Sequence, residues 1–209
     1  MKTIDEQRLE TDPVYRFEYL VEFIGFTASD AAAVQAMGPH LGPLIPEIVD
    51  KTYEKMLAYD ATARHFVPRQ AGFDGTVPGS IADITASHPQ IQFRKEHLAK
   101  YFMQILGRTC DAKFVTFLDM VGKIHTTRAG NAEIDVPLIQ MNALMGLLSD
   151  ILLELIPTLP IDATTAFRTI RAFNKLLWIQ NDFISRHYQG NSTTINNEGK
   201  SHSSKTDTP

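Results

Sequence analysis

This chain of 209 residues has a single cysteine, Cys110, which excludes an internal disulfide and any multi-cysteine metal or iron–sulfur site. One thiol in a chain of this size fits a reducing compartment, so the expected location is the cytoplasm. Basic charge is also in short supply. Lys and Arg together number 20 against 24 Asp and Glu, the net charge is −4, and no Lys/Arg stripe is present to follow a phosphate backbone. Nucleic acid is therefore not an expected partner. Met1 to Pro13 is polar and charged without the apolar core of an export signal, and no later run is read as a membrane span, so no membrane association is expected. A Gly-rich phosphate loop, a paired-histidine zinc motif and a Gly-x-Ser-x-Gly nucleophile turn are all missing, and His40, His65, His88 and His187 lack metal-ligand spacing. Neither strand alternation nor an internal repeat is found.

What remains is apolar and helical. Hydrophobic residues make up 44% of the chain and include 12 Phe, enough for one sizeable aromatic-lined core. Residues 1–14 read as a flexible N-terminal segment, 15–188 as one domain, and 189–209, rich in Ser, Thr, Asn and Lys, as a disordered tail that buries too little to offset its ordering entropy. Phe17, Leu20, Val21, Phe23, Ile24 and Phe26 suggest an extra N-terminal helix. A second helix is expected to start near Ser29 behind the oxygens of Thr27 to Asp30, with Gly38-Pro39 and Gly42-Pro43 breaking it. Pro46 suits the first turn of a helix over Glu47 to Tyr59. Asp60 to Pro89 reads as loop with short helical turns. Helices then follow from Ile91 to Gly107, from an Asp111 cap onwards, from Pro137 to Leu155 and from Asp162 to Tyr188.

Within this frame one residue carries the chemistry. Phe114, Phe117, Leu118 and Val121 follow the spacing of a helix packed on a core, and His125 continues the stripe four residues later. An inward imidazole needs a hydrogen-bond partner or a metal, and one histidine from one helix is how a globin-type pocket holds haem iron. The plainer alternative is a core histidine satisfied by a neighbouring carbonyl.

Four segments in fixed order, Ile48-Val49-Asp50-Lys51-Thr52-Tyr53, Phe93-Arg94-Lys95-x-His97-Leu98, Gly122-Lys123-Ile124-His125 and Val136-Pro137, resemble protoglobins, the single-domain relatives of globin-coupled sensors. The resemblance spans roughly Phe17 to Tyr188. It implies an all-α, globin-like fold with an extra N-terminal helix and a bound haem b. It makes His125 the proximal iron ligand and Tyr53 the distal tyrosine whose hydroxyl bonds a gas ligand. Phe93 takes the place of the distal-helix aromatic, with Phe102 as a rival because the stretch from Phe93 to His125 carries extra residues. His97 is placed one turn from Phe93, within reach of the pocket or of a propionate. Leu144 and Leu148, with Ala143 and Leu147, would pack against the haem, and Arg94, Lys95 or Arg128 would pair with propionates. The chain departs from the methanogen pattern at Thr52, where a tryptophan precedes the tyrosine.

The implied activity is reversible binding of O2, CO and NO, in sensing or scavenging. Two alternatives stand beside it: haem redox turnover of NO, nitrite or peroxide with His97 as the acid–base group, and a haem-free globin-fold interaction module. Leu152, Leu153, Phe173, Leu176, Trp178 and Phe183 supply more apolar surface on the last two long helices than one inward stripe needs. A homodimer through those helices is expected, as in related globins.

Overall fold

Helices account for all the regular structure among the described residues, 1–129 and 131–189, in a computed structural model of the chain. The expected all-α architecture is present. Helix α1 (Glu6–Thr11) is capped by the Asp5 carboxylate, which accepts from the Arg8 amide. It lies within the segment read as flexible, where length and polarity concealed it. Helix α2 (Pro13–Ile24) starts with Asp12 accepting from the Val14 and Tyr15 amides and stops at Gly25, whose φ of 70° is left-handed. The N-terminal addition is thus two helices, not one.

Helix α3 (Ala28–Ala36) opens with a reciprocal Thr27–Asp30 capping box. The Gly-Pro pairs then bend the chain without ending helicity, since Pro39 and Pro43 lie in the first turns of α4 (Gly38–Leu41) and of a 3-10 turn at Gly42–Leu44. Helix α5 (Ile45–Leu57) follows, then α6 (Asp60–Ala63) and a largely irregular stretch to Pro89. Two buried glutamines pin that stretch to the next helix. Gln90 accepts from the Gln70 amide at 3.1 Å and donates to the Phe66 carbonyl at 2.7 Å, and Gln70 bonds the His65 and Pro68 carbonyls.

The remaining helices are α7 (Pro89–Gly107), α8 (Ala112–Lys123) with Asp111 as its cap, α9 (Leu138–Leu155) and α10 (Ala163–Ser185). Helix α10 forms the spine, packed against α3, α8 and α9, while α5 lies against α7 and α9, and α2 against α8 and α10. The core is aromatic at the centre, where Phe17 of α2 lies 6.3 Å from both Phe114 of α8 and Phe183 of α10. Helices α8 and α10 cross so closely at Gly122 that a Cβ there would meet the Phe183 carbonyl and come within 2.9 Å of Ile184 Cα. The N-terminal helices are held to the far end of the chain. The buried Arg16 guanidinium bonds Asp182 at 2.6 and 2.9 Å, and Arg186 donates to the Glu10 carbonyl at 2.8 Å.

One expectation about the surface changes. Leu138–Thr158 has a mean hydropathy of 1.5 and is long and apolar enough, by length and composition, to cross a membrane. A third of it is buried within the fold, and its inner residues Leu148, Ile151 and Leu152 belong to the core. The expected tail from 190 to 209 falls outside the described residues.

Candidate functional site

His125 sits just past its helix instead of within it. Helix α8 ends at Lys123, and Ile124 and His125 continue in a tight turn, the His125 amide meeting the Gly122 carbonyl at 3.4 Å. That turn preserves the direction of the stripe. His125 Nδ1 lies 2.7 Å from the Val121 carbonyl. A carbonyl only accepts, so Nδ1 carries the proton and Nε2 holds the free lone pair. Part of the ring remains accessible, yet protein atoms crowd it closely enough that desolvation pushes its pKa down to about 4. The Arg94 guanidinium pushes the same way, and the Val121 carbonyl opposes both. At neutral pH this is a neutral imidazole oriented by its own helix, the form a metal ligand requires.

Tyr53 faces inward from α5, 2% exposed, with its ring 5.6 Å from Phe66 and the Lys95 ammonium 6.0 Å from its centroid. Burial raises the hydroxyl pKa above its ordinary value, against the pull of Arg94. It therefore remains a proton donor, and among the described residues it donates no hydrogen bond of good geometry. Thr52, at the point of departure from the methanogen pattern, is fully buried and spends its hydroxyl on the Ile48 carbonyl at 2.7 Å. That hydroxyl is turned back along α5.

The residue common to both groups is Arg94 of α7, close enough to Tyr53 and to His125 to bias the ionisation of each. Its Nε is excluded from solvent and has no hydrogen-bond partner among the described residues. Its neighbour Lys95 is paired with Asp50 at 2.8 Å, and Arg128 is exposed. The sequence carried a signal for Arg94 that periodicity alone makes legible. Ile91, Arg94, Leu98, Phe102 and Ile105 follow one helical stripe, with a guanidinium where an apolar residue belongs.

The same stripe separates the two candidate aromatics. Nine residues of α-helix place Phe93 and Phe102 about 180° apart. Phe102 is buried in the core beside Tyr101, at 5.6 Å. Phe93 is turned towards the preceding irregular stretch, 5.5 Å from Phe73 and against Gly72, which takes a φ of +81°. His97 stacks on Phe93 at 4.3 Å and bonds the Phe93 carbonyl at 2.7 Å, exposed to water and satisfied within its own helix. Leu144 and Leu148 both join the core, the second fully buried. Tyr101, not anticipated as a site residue, stacks on Phe117 of α8 at 5.9 Å, and burial raises its hydroxyl pKa. An open groove of about 420 Å³ between α5 and α9 is lined by the exposed Lys51, Glu54 and Lys55 and contains none of these residues.

Residues 14–193, taking in Tyr53, Arg94 and His125, match the protoglobin family. The chain belongs to that family. The fold agrees: this protoglobin is similar in structure to the globin domain of a Geobacter sulfurreducens globin-coupled sensor, with a TM-score of 0.65 at 18% identity, covering 83% of this chain and 97% of that one. No curated protein matches this protoglobin. Its residues fit a haem on their own chemistry. The site offers a neutral imidazole with a free Nε2, the half-buried Arg94, whose Nε has no partner among the described residues, and an apolar surround from α5, α7 and α8.

Proposed function

We propose that this protoglobin is a haem b protein that reversibly binds O2, CO and NO in gas sensing or scavenging. The observation that carries the reading is the His125 tautomer, since the Val121 carbonyl fixes the proton on Nδ1 and leaves Nε2 as the donor. Bound haem supplies an iron with an open coordination position for a diatomic gas. His125 would hold the metal on one side and Tyr53 would present a hydroxyl on the other, while the core stripe of α7 around Leu98 and Phe102 excludes water. His97, on which an acid–base role in redox turnover rested, is bonded to its own helix and exposed.

The deciding experiment records absorption spectra of the ferric, ferrous and ferrous-plus-CO protein beside His125→Ala. A haem spectrum with a CO shift that is lost or grossly altered in the variant is expected. A folded, colourless protein that takes up no added haemin would leave a globin-fold interaction module as the better reading.

The protein also acts, in this proposal, as a homodimer through α9 and α10. Ile139 and Leu153 of α9 and Phe167 and Trp178 of α10 are exposed at 72%, 48%, 62% and 61%. On α9 the exposed stripe also holds Asn142, Ala143 and Gly146, and a Cβ on Gly146 would meet nothing within 4 Å. Among the described residues nothing requires Gly146 to be small, whereas a second helix laid on the same stripe would approach more closely for it. Trp178→Glu is expected to convert a dimer to a monomer in sedimentation equilibrium. An unchanged dimer mass would move the interface elsewhere.

A further inference from the structure

The chain just past α10 is bonded on both sides of His125. Helix α10 ends at Ser185, and the three residues after it are all committed to the segments that precede and follow that imidazole. Arg186 and His187 both bond the Asp119 carboxylate of α8, at 2.7 and 3.0 Å. Tyr188 reaches the other side. Its hydroxyl donates to the Val136 carbonyl at 2.6 Å, and the Val136 amide in turn donates to the His125 carbonyl at 2.9 Å. Two hydrogen bonds in series therefore join the end of α10 to the backbone of His125.

The hydroxyl is the informative group. Tyr188 packs with Val136 against Met141, Met145 and Ile184, where a phenylalanine would fill the same space, so what the oxygen adds is the bond to Val136. Burial, with the Asp135 carboxylate adding to it, pushes its pKa up to about 12, and the group remains a donor at any physiological pH. His125 is then governed by two separate bonds. The Val121 carbonyl fixes how the ring is turned, from within α8, whereas the Val136 amide fixes where the backbone lies, from across the fold. We infer that Tyr188, acting through Val136, is a positioning residue for His125, so that the end of α10 sets how the imidazole is presented to a bound iron. The inference rests on the haem reading above. A ligand with a loosened backbone presents its Nε2 over a wider range of distances and tilts, which weakens and spreads the bond it makes.

The test compares wild type, Tyr188→Phe and Lys175→Met, each as the full chain loaded with haem. Lys175 is the control because it also ties down α10, bonding the Gly25 carbonyl at 2.7 Å and Asp30 at 2.9 Å. It lies about 20 Å before Tyr188 along the helix. Amide exchange at Val136, the iron–histidine stretching band of the ferrous protein and a thermal melt are read on each. In Tyr188→Phe the Val136 amide is expected to exchange about 3- to 10-fold faster, as for the loss of one hydrogen bond. The iron–histidine band should shift to lower frequency and broaden. Lys175→Met should melt lower and leave both signals as in wild type. An unmoved band in Tyr188→Phe would overturn the inference, whatever the exchange rate, and reduce the hydroxyl to a stabilising contact. So would the same band shift in Lys175→Met, which would mark a general loosening of the fold. A wild type with no haem spectrum is a different failure, that of the haem reading, and takes the inference with it.

Discussion

Replacing Gly122 with alanine should destabilise the protein by about 3 kcal/mol, the upper end of what overpacking a core costs. The reason is the identity of the atoms it would meet. A Cβ at Gly122 falls on the Phe183 carbonyl and lies 2.9 Å from Ile184 Cα, both backbone, so no rotamer change on α10 can relieve the clash. The His187 ring, also at 2.9 Å, could swing aside only by leaving Asp119, to which its Nε2 is bonded at 3.0 Å. The two helices must therefore separate. Because His125 follows Gly122 by three residues, the same substitution should loosen haem retention together with stability. Urea unfolding with a haem-transfer assay checks both. A wild-type midpoint in Gly122→Ala would mean that α8 and α10 are free to slide.

The second large effect is functional. Tyr53→Phe should speed O2 dissociation from the haem-loaded protein about 10- to 100-fold, the equivalent of one hydrogen bond of about 1–3 kcal/mol in a dry pocket. Stability should hardly change, because among the described residues the hydroxyl makes no well-formed hydrogen bond that the fold would miss. The contrast separates this substitution from Gly122→Ala, where stability and ligand retention fall together. Flash photolysis with O2 and a thermal melt on the same sample distinguish the two. An O2 dissociation rate equal to wild type would remove Tyr53 from the ligand side and leave it as a core aromatic.

The helical frame was readable because its signals are local. Capping oxygens at Thr27, Asp111 and Asp162 and prolines in first turns mark where helices begin, and the spacing from Phe114 to Val121 points at His125 even though the helix stops two residues short. Tyr53 was legible only through the segment it belongs to, since an inward tyrosine on an amphipathic helix has no signature of its own. Long-range pairing left no such signal. On the opposite side of α7 from Phe102, Phe93 meets Phe73 and Gly72, from a stretch without periodicity. Helix α1 is too short and polar to announce itself. It is stabilised by tertiary bonds, Arg16 Nη1 to the Leu9 carbonyl and Arg186 to the Glu10 carbonyl. Arg94 was visible as a charge on an apolar stripe, but its burial depended on which helices close around it.

The clamp between Arg16 and Asp182 spans 166 residues of sequence, and that between Arg186 and Glu10 spans 176. During synthesis the N-terminal helices therefore emerge with no docking site, since α10, which carries Asp182 and Phe183, leaves the ribosome long after them. Until then Phe17 has neither Phe183 to pack on nor Asp182 beside it to neutralise Arg16, and α2 must wait in water while the centre of the domain assembles. Closing so long a loop is expected to come late in maturation, because its closure entropy is offset only once both ends are in place. A nascent chain arrested before Asp182 would present an unpaired arginine and an aromatic helix to whatever chaperone surveys the exit site.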